Sequence, residues 1–176
     1  ALLNVSGNNI CSGTVTLGAD STIGSTAGTL TLSNTTAITG LGAFNTTFTG
    51  AGNTTVSGII ALTSVTKNGT GTLKLSGTNI YSGGTTVSNG ILNLQNSSAL
   101  GSGSASVTSG AQLQLQGGIT PSNTLTINGT GGGTGALLNV SGTNTYSGAV
   151  TLGAAATIGS TAGTLTLSNT NAISGT

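Results

Sequence analysis

Histidine and tryptophan are missing from this chain, and charge is almost missing. Asp20, Lys67 and Lys74 are the only charged side chains among 176 residues. General acid–base chemistry needs a positioned titratable pair, and glycoside hydrolysis needs two carboxylates. Metal sites need clustered His, Cys, Asp or Glu, and nucleic-acid binding needs a basic stripe. None of these sets is available, so the expectation is a protein that is not an enzyme, with no catalytic, metal or cofactor-binding residues and no nucleic-acid partner. Gly131-Gly-Gly-Thr-Gly135 lacks the following Lys and helix of a phosphate loop and reads as a turn. No run of eighteen apolar residues occurs, which excludes a membrane-spanning helix from this window. The single cysteine, Cys11, reads as a partly buried inert thiol. With only four aromatic residues (Phe44, Phe48, Tyr81, Tyr146), the core must be thin and aliphatic.

What is present is mostly Gly, Thr, Ser and Asn. Disordered chains combine low hydrophobicity with high net charge. Here 35% of residues are apolar and mean hydropathy is +0.30, enough to form a core. Residues 1–40 align without a gap on 136–175, an offset of 135, with 32 of 40 positions identical. Of ten aliphatic positions in the first copy nine are retained; only Ile10 changes, to Thr145. Drift at turns with constant inward positions is the behaviour of a packed stack.

A weaker period lies inside the long one. Ser6-Gly-Asn-Asn-Ile-Cys-Ser-Gly13 matches Ser76-Gly-Thr-Asn-Ile-Tyr-Ser-Gly83 and Ser141-Gly-Thr-Asn-Thr-Tyr-Ser-Gly148. Half-repeats therefore begin near residues 1, 71 and 136. The pattern begins and stops in mid-unit, so the expectation is one continuous uncapped segment, 1–176, cut from a longer tandem array.

Short alternating stretches such as Thr72-Leu-Lys-Leu-Ser76 and Gln112-Leu-Gln-Leu-Gln116 read as strands, separated by Ser-Gly, Asn-Gly and Gly-Gly turns. Leu73 and Leu75 recur as Leu92 and Leu94 nineteen residues on, and as Leu113 and Leu115 twenty-one further. Two or three short strands per 19–23 residues describe an all-β, single-stranded parallel β-helix of eight or nine coils. The expected inward ladder is Leu3, Val5, Leu30, Leu32, Leu73, Leu75, Leu92, Leu94, Leu113, Leu115, Leu138, Val140, Leu165 and Leu167. Eight Asn-Xaa-Ser/Thr triplets, starting at Asn4, Asn34, Asn45, Asn53, Asn68, Asn96, Asn128 and Asn139, read as turns. Stacked Asn or Thr would form hydrogen-bonded ladders along the rod.

The stretch Gly69-Thr-Gly-Thr-Leu-Lys-Leu-Ser-Gly-Thr-Asn-Ile-Tyr-Ser-Gly-Gly-Thr-Thr-Val-Ser-Asn-Gly90 resembles the passenger-associated strand repeat of bacterial autotransporters. The resemblance is close from Gly69 to about Gly117 and partial at 1–18 and 136–153. It implies a right-handed β-helix stalk on a large exported protein of the Gram-negative cell surface, anchored in the outer membrane through parts outside this chain. Family activities usually reside elsewhere, so no site residues transfer. Near absence of charge and the close long repeat depart from an ordinary passenger and point to a giant fibre-like protein.

Two functions follow as expectations. One is a structural stalk or filament, whose partners are neighbouring repeats, identical chains and other cells or surfaces. The alternative is an ice- or surface-binding solenoid, because Thr14-Val-Thr16, Thr29-Leu-Thr31, Thr124-Leu-Thr126 and Thr164-Leu-Thr166 resemble Thr-x-Thr rows. Such rows must share one flat face in consecutive coils.

Overall fold

The computed structural model describes residues 1–170 and 173–175. Every strand pairing in it is parallel, and the strands stack as a β-solenoid of about eight coils of about 21 residues. Among the described residues the only helical element is a 3-10 turn at Gly131–Gly133. Thr, Val and Ile supply branched β-carbons that suit pleated backbone. Strands are short because Gly, Ser and Asn interrupt them every few residues.

Each coil lays strands against three walls. On the first, the inward register runs Ile23, Phe48, Lys67, Val87, Val107, Ile127, Leu152. On the second it runs Leu30, Thr54, Leu73, Leu92, Leu113, Leu137, Ile158. Val15–Leu17, Thr36–Gly40 and Ile59–Ala61 open the third wall, which Thr143–Tyr146 and Thr164–Leu167 continue. Two long strands, Ser64–Leu75 and Thr85–Leu94, turn the corner from the first wall to the second through a register break. Coil length varies. Thr54 pairs with Leu73 across one of the shortest coils, and Leu125 with Val150 across one of the longest. That last coil and the one from Thr22 to Thr47 are longer than the sequence spacing suggests.

Walls stack closely at their corners. A methyl on Gly58 would lie 1.8 Å from the Asn34 carbonyl oxygen of the preceding coil. Only a residue without a β-carbon lets the two backbones meet there. Inside, the second wall is an aliphatic column in which Leu32, Val56, Leu75, Leu94 and Leu115 are fully buried. Leu30, Leu73, Leu92 and Leu113 are buried beside them. Leu165 and Leu167 are half-buried on the third wall.

At both ends of the long repeat the inward ladder differs from the one the sequence suggests. Leu3 is 59% and Val5 67% exposed. Leu2 and Asn4 point inward instead, opposite Ile23 and Ser25. In the second copy Leu137 and Asn139 take the inward register, opposite Leu113 and Leu115. Leu138, although buried, therefore lies on the outer side over Gly159, and Val140 is half-buried beyond the column. Side chains alternate with a period of two, so an error of one residue exchanges the two sides of the wall.

The two copies also occupy different walls. From Leu2 the register passes through six coils to Ile127 and a seventh to Leu152. Its repeat equivalent, Leu137, falls between these and belongs to the second wall. One long repeat is thus six coils plus one wall.

Two buried tyrosines test how far polar satisfaction decides stability. The Tyr81 hydroxyl lies 2.7 Å from Thr85 Oγ1 and donates to the Ala99 carbonyl at 3.2 Å. Burial pushes its pKa up to about 12, with the Thr85 hydrogen bond opposing the rise. Tyr146 holds the equivalent place, but Val150 stands where Thr85 stood, and its buried hydroxyl has no partner. A net intramolecular hydrogen bond contributes about 1 kcal/mol, and a buried orphan costs at least as much. Tyr81→Phe is expected to lower stability by about 1 kcal/mol and Tyr146→Phe to raise it by a similar amount. Urea unfolding of both variants against the parent checks this; equal effects of the same sign would refute the assignment.

Candidate functional surface

Among the described residues no group of three His, Cys, Asp or Glu side chains could hold a metal ion. No helix of the described residues is long and apolar enough to cross a membrane. Asp20 is held below its usual carboxyl range chiefly by the Asn45 backbone N–H, 2.8 Å away, and then by the Asn45 side-chain amide. Cys11 is half-buried, its Sγ 3.6 Å from the Gly13 carbonyl. A shallow corner groove of about 420 Å³ runs over four coils and is lined by turn residues such as Ser57, Gly58, Ser76 and Gly77.

Polar side chains instead act as structure. Asn4 Nδ2 donates to Ser25 Oγ (3.0 Å), Ala27 O (3.0 Å) and Gly7 O (3.1 Å), while Asn9 donates to Asn4 Oδ1. The second copy repeats this with Asn139 on Ser160 Oγ (3.0 Å), Ala162 O (2.8 Å) and Gly142 O (3.3 Å), and with Asn144 on Asn139. Asn144 Oδ1 also accepts from the Gly118 and Ile119 N–H groups, so this pair ties three coils together. The Asn4 and Asn139 triplets are inward clamps rather than turns. Amide bonds between coils exist on the second wall, where Asn93 donates to Gln114 and Gln95 to Gln116, while Gln114 also donates to Gln112 within its own strand.

The outer side of the first wall carries the most regular feature of the surface. Thr22, Thr47, Thr66, Thr86, Ser106, Thr126, Thr151 and Ser174 follow one another in register through eight successive coils. Equivalent strand positions repeat at ~4.8 Å. Thr151 and Ser174 approach to 3.3 Å, whereas the hydroxyls of the other six make no hydrogen bond among the described residues. The four Thr-x-Thr segments expected to build such a row do not form it. Only Thr124-Leu-Thr126 contributes to it; Thr29-Leu-Thr31 lies on the second wall, and Thr14-Val-Thr16 and Thr164-Leu-Thr166 on the third.

In the sequence Lys67 is only a charge, yet it lies on the inward side of the first wall between Phe48 and Val87, 3% exposed. Its ammonium donates to the Gly69 carbonyl and to the Asn89 carbonyl, the latter at 3.2 Å. Burial without an opposing charge pushes its pKa down to about 8. No sequence signal separates an inward lysine from an outward one at a corner where the register breaks.

In-register parallel coils with an aliphatic interior and few charges outside define a β-solenoid. Two of its segments, residues 65–94 and 162–176, match the passenger-associated-transport-repeat family. The first of these segments overlaps the stretch, Gly69 to about Gly117, whose sequence resembles the passenger-associated repeat. No curated protein and no solved structure matches the chain.

Proposed function

We propose that this chain is a structural stalk segment of an exported bacterial cell-surface protein, an adhesin or extracellular filament anchored in the outer membrane through parts outside this sequence. The observation that carries the reading is the unbroken parallel register of the first wall from Leu2 to Gly175, with passenger repeats within it. Eight coils at ~4.8 Å give a rod on the order of 40 Å. Low charge removes repulsion between neighbouring rods, which supports association of identical chains. The test is to place the segment between an export leader and an outer-membrane barrel, with an epitope at its far end. The expected result is antibody access to the epitope on intact cells and rods that associate in micrographs of the purified segment. Retention inside the cell would overturn the stalk reading, and monomers alone at high concentration would overturn self-association.

The hydroxyl row on the first wall favours a second reading, binding to ice or another ordered hydroxylated surface. Six free hydroxyls at a fixed spacing offer a repeating set of donors and acceptors to a lattice of matching period. Thermal hysteresis of the purified chain is expected, and Thr66→Lys with Thr86→Lys should abolish it. Thr31→Lys with Thr55→Lys, on the second wall, should leave it intact. No hysteresis in the parent chain removes this reading.

A further inference from the structure

The buried Lys67 amine lies against an Asn-Gly pair of the next coil. Opposite Lys67 the register is Val87, but opposite Asn68 it is Asn89, so Ser88 is an extra residue in the corner. That bulge swings the Asn89 carbonyl to 3.2 Å from Lys67 Nζ. A methyl on Gly90 would meet the same nitrogen at 2.9 Å. The Gly90 N–H donates to Asn89 Oδ1 at 2.8 Å, which brings the Gly90 nitrogen beside the Asn89 side-chain amide. Amine, side-chain amide and backbone nitrogen therefore share one corner. No side-chain carboxylate competes there, since the only one in the chain, Asp20, is bound to Asn45.

We propose that Lys67 and Asn89 form an intramolecular amide cross-link between successive coils, made by the chain itself. In the first step the Gly90 nitrogen bonds to Asn89 Cγ and the Cγ–Nδ2 bond breaks. Ammonia leaves with the proton from Gly90, and a succinimide remains. In the second step Lys67 Nζ bonds to Cγ, the bond from Cγ to the Gly90 nitrogen breaks, and an amine proton returns to that nitrogen. The net change is loss of one ammonia, with no oxidant or cofactor required. Gly90 has φ of 68° and no side chain to obstruct the ring. Burial supplies the neutral amine near pH 8. The other two Asn-Gly pairs lack this arrangement. In Asn128-Gly129 the side-chain amide donates to the Val107 carbonyl, and no lysine lies near it in register. Asn68-Gly69 follows Lys67 on the same strand, where a bond would not join two coils.

Intact-mass spectrometry of the folded chain, held at pH 8 to 9, tests the proposal. The expected mass is one ammonia below that of the sequence. Because trypsin does not cut at an acylated lysine, digestion should cleave only after Lys74 and leave 1–74 joined to 75–176. Asn89→Ala and Lys67→Met should each restore the sequence mass while keeping the strand signal in circular dichroism. An unchanged mass in the parent overturns the proposal. So does ammonia loss that persists in Lys67→Met, which is a succinimide alone, and so does conversion of Asn89 to Asp with Lys67 still cleavable.

Discussion

Asn139→Leu, which completes a column of leucines, is expected to destabilise the chain by about 3 kcal/mol. The column above it reads Leu75, Leu94, Leu115, so a leucine would match its neighbours in shape and polarity. Full burial of a leucine contributes about 2 kcal/mol. Against that, the substitution removes the donor shared by Ser160 Oγ and the Ala162 and Gly142 carbonyls, and leaves Asn144 Nδ2 only the Ser141 carbonyl for its two hydrogens. Asn144 is fully buried, so water does not replace its lost acceptor, whereas the exposed Ala162 corner can be hydrated. Each buried orphan costs about 1–3 kcal/mol. Misalignment of Asn144 also threatens its hold on the Gly118 and Ile119 N–H groups. The polar loss exceeds the apolar gain. Asn4→Leu makes the same exchange in the first copy, where Asn9 is exposed and water can satisfy it. Its cost should be less than half as large. Urea midpoints of the two variants decide this, and a more stable Asn139→Leu would sink the clamp.

That clamp also marks where the sequence stops being legible. The second wall could be read directly, because Leu-x-Leu pairs recurring at coil spacing leave one phase for the strand. Leu2-Leu3-Asn4-Val5 offers two phases, and counting aliphatic residues favours the one that buries Leu3 and Val5. The chain takes the other, since only an inward Asn4 reaches Ser25, Gly7 and Ala27 together. Hydrogen-bond networks between coils are non-local, and no periodicity reports them.

The hydroxyl row was hidden for a related reason. Its members are unevenly spaced along the chain, because corner turns change length from coil to coil. The step from Thr22 to Thr47 is longer than the step from Thr47 to Thr66, and the row lengthens its stride again from Thr126 to Thr151. The row also survives the shift of one wall between repeat copies. Thr22 supplies it in the first copy, whereas Thr151, the equivalent of Thr16, supplies it in the second. Different positions of one repeat thus present the same chemistry on one side of the rod. A sequence repeat records composition at fixed offsets, while the surface depends on how many coils those offsets span.

Stability of the Asn89→Ala variant is expected to rise as pH increases from about 8 to about 10.5. This variant keeps the Lys67 amine free, and both carbonyls that receive it are backbone groups. In the folded chain Lys67 loses its proton near 8, whereas its ordinary value is 10.5. Between those values the unfolded chain binds more protons than the folded one, so raising the pH favours folding. Below the window the buried ammonium carries its full desolvation cost; above it the cost is gone. At full effect the shift corresponds to about 3 kcal/mol. Solvent screening at the exposed Asn89 corner reduces this to about 2 kcal/mol. The strands packed on Lys67, Asn45–Thr49 and Thr85–Leu94, hold no titratable side chain, and Lys74 faces outward on the same strand. Adding Lys67→Met fills the same column between Phe48 and Val87 without charge. It should raise stability at pH 7 by about 2 kcal/mol and remove the Lys67 contribution to the pH dependence. Chemical denaturation from pH 7 to 10.5, with and without Lys67→Met, isolates that contribution; equal slopes in the two chains would show that the ammonium is not buried. In the parent chain the same slope should fade as the cross-link to Asn89 forms, because an acylated amine no longer titrates.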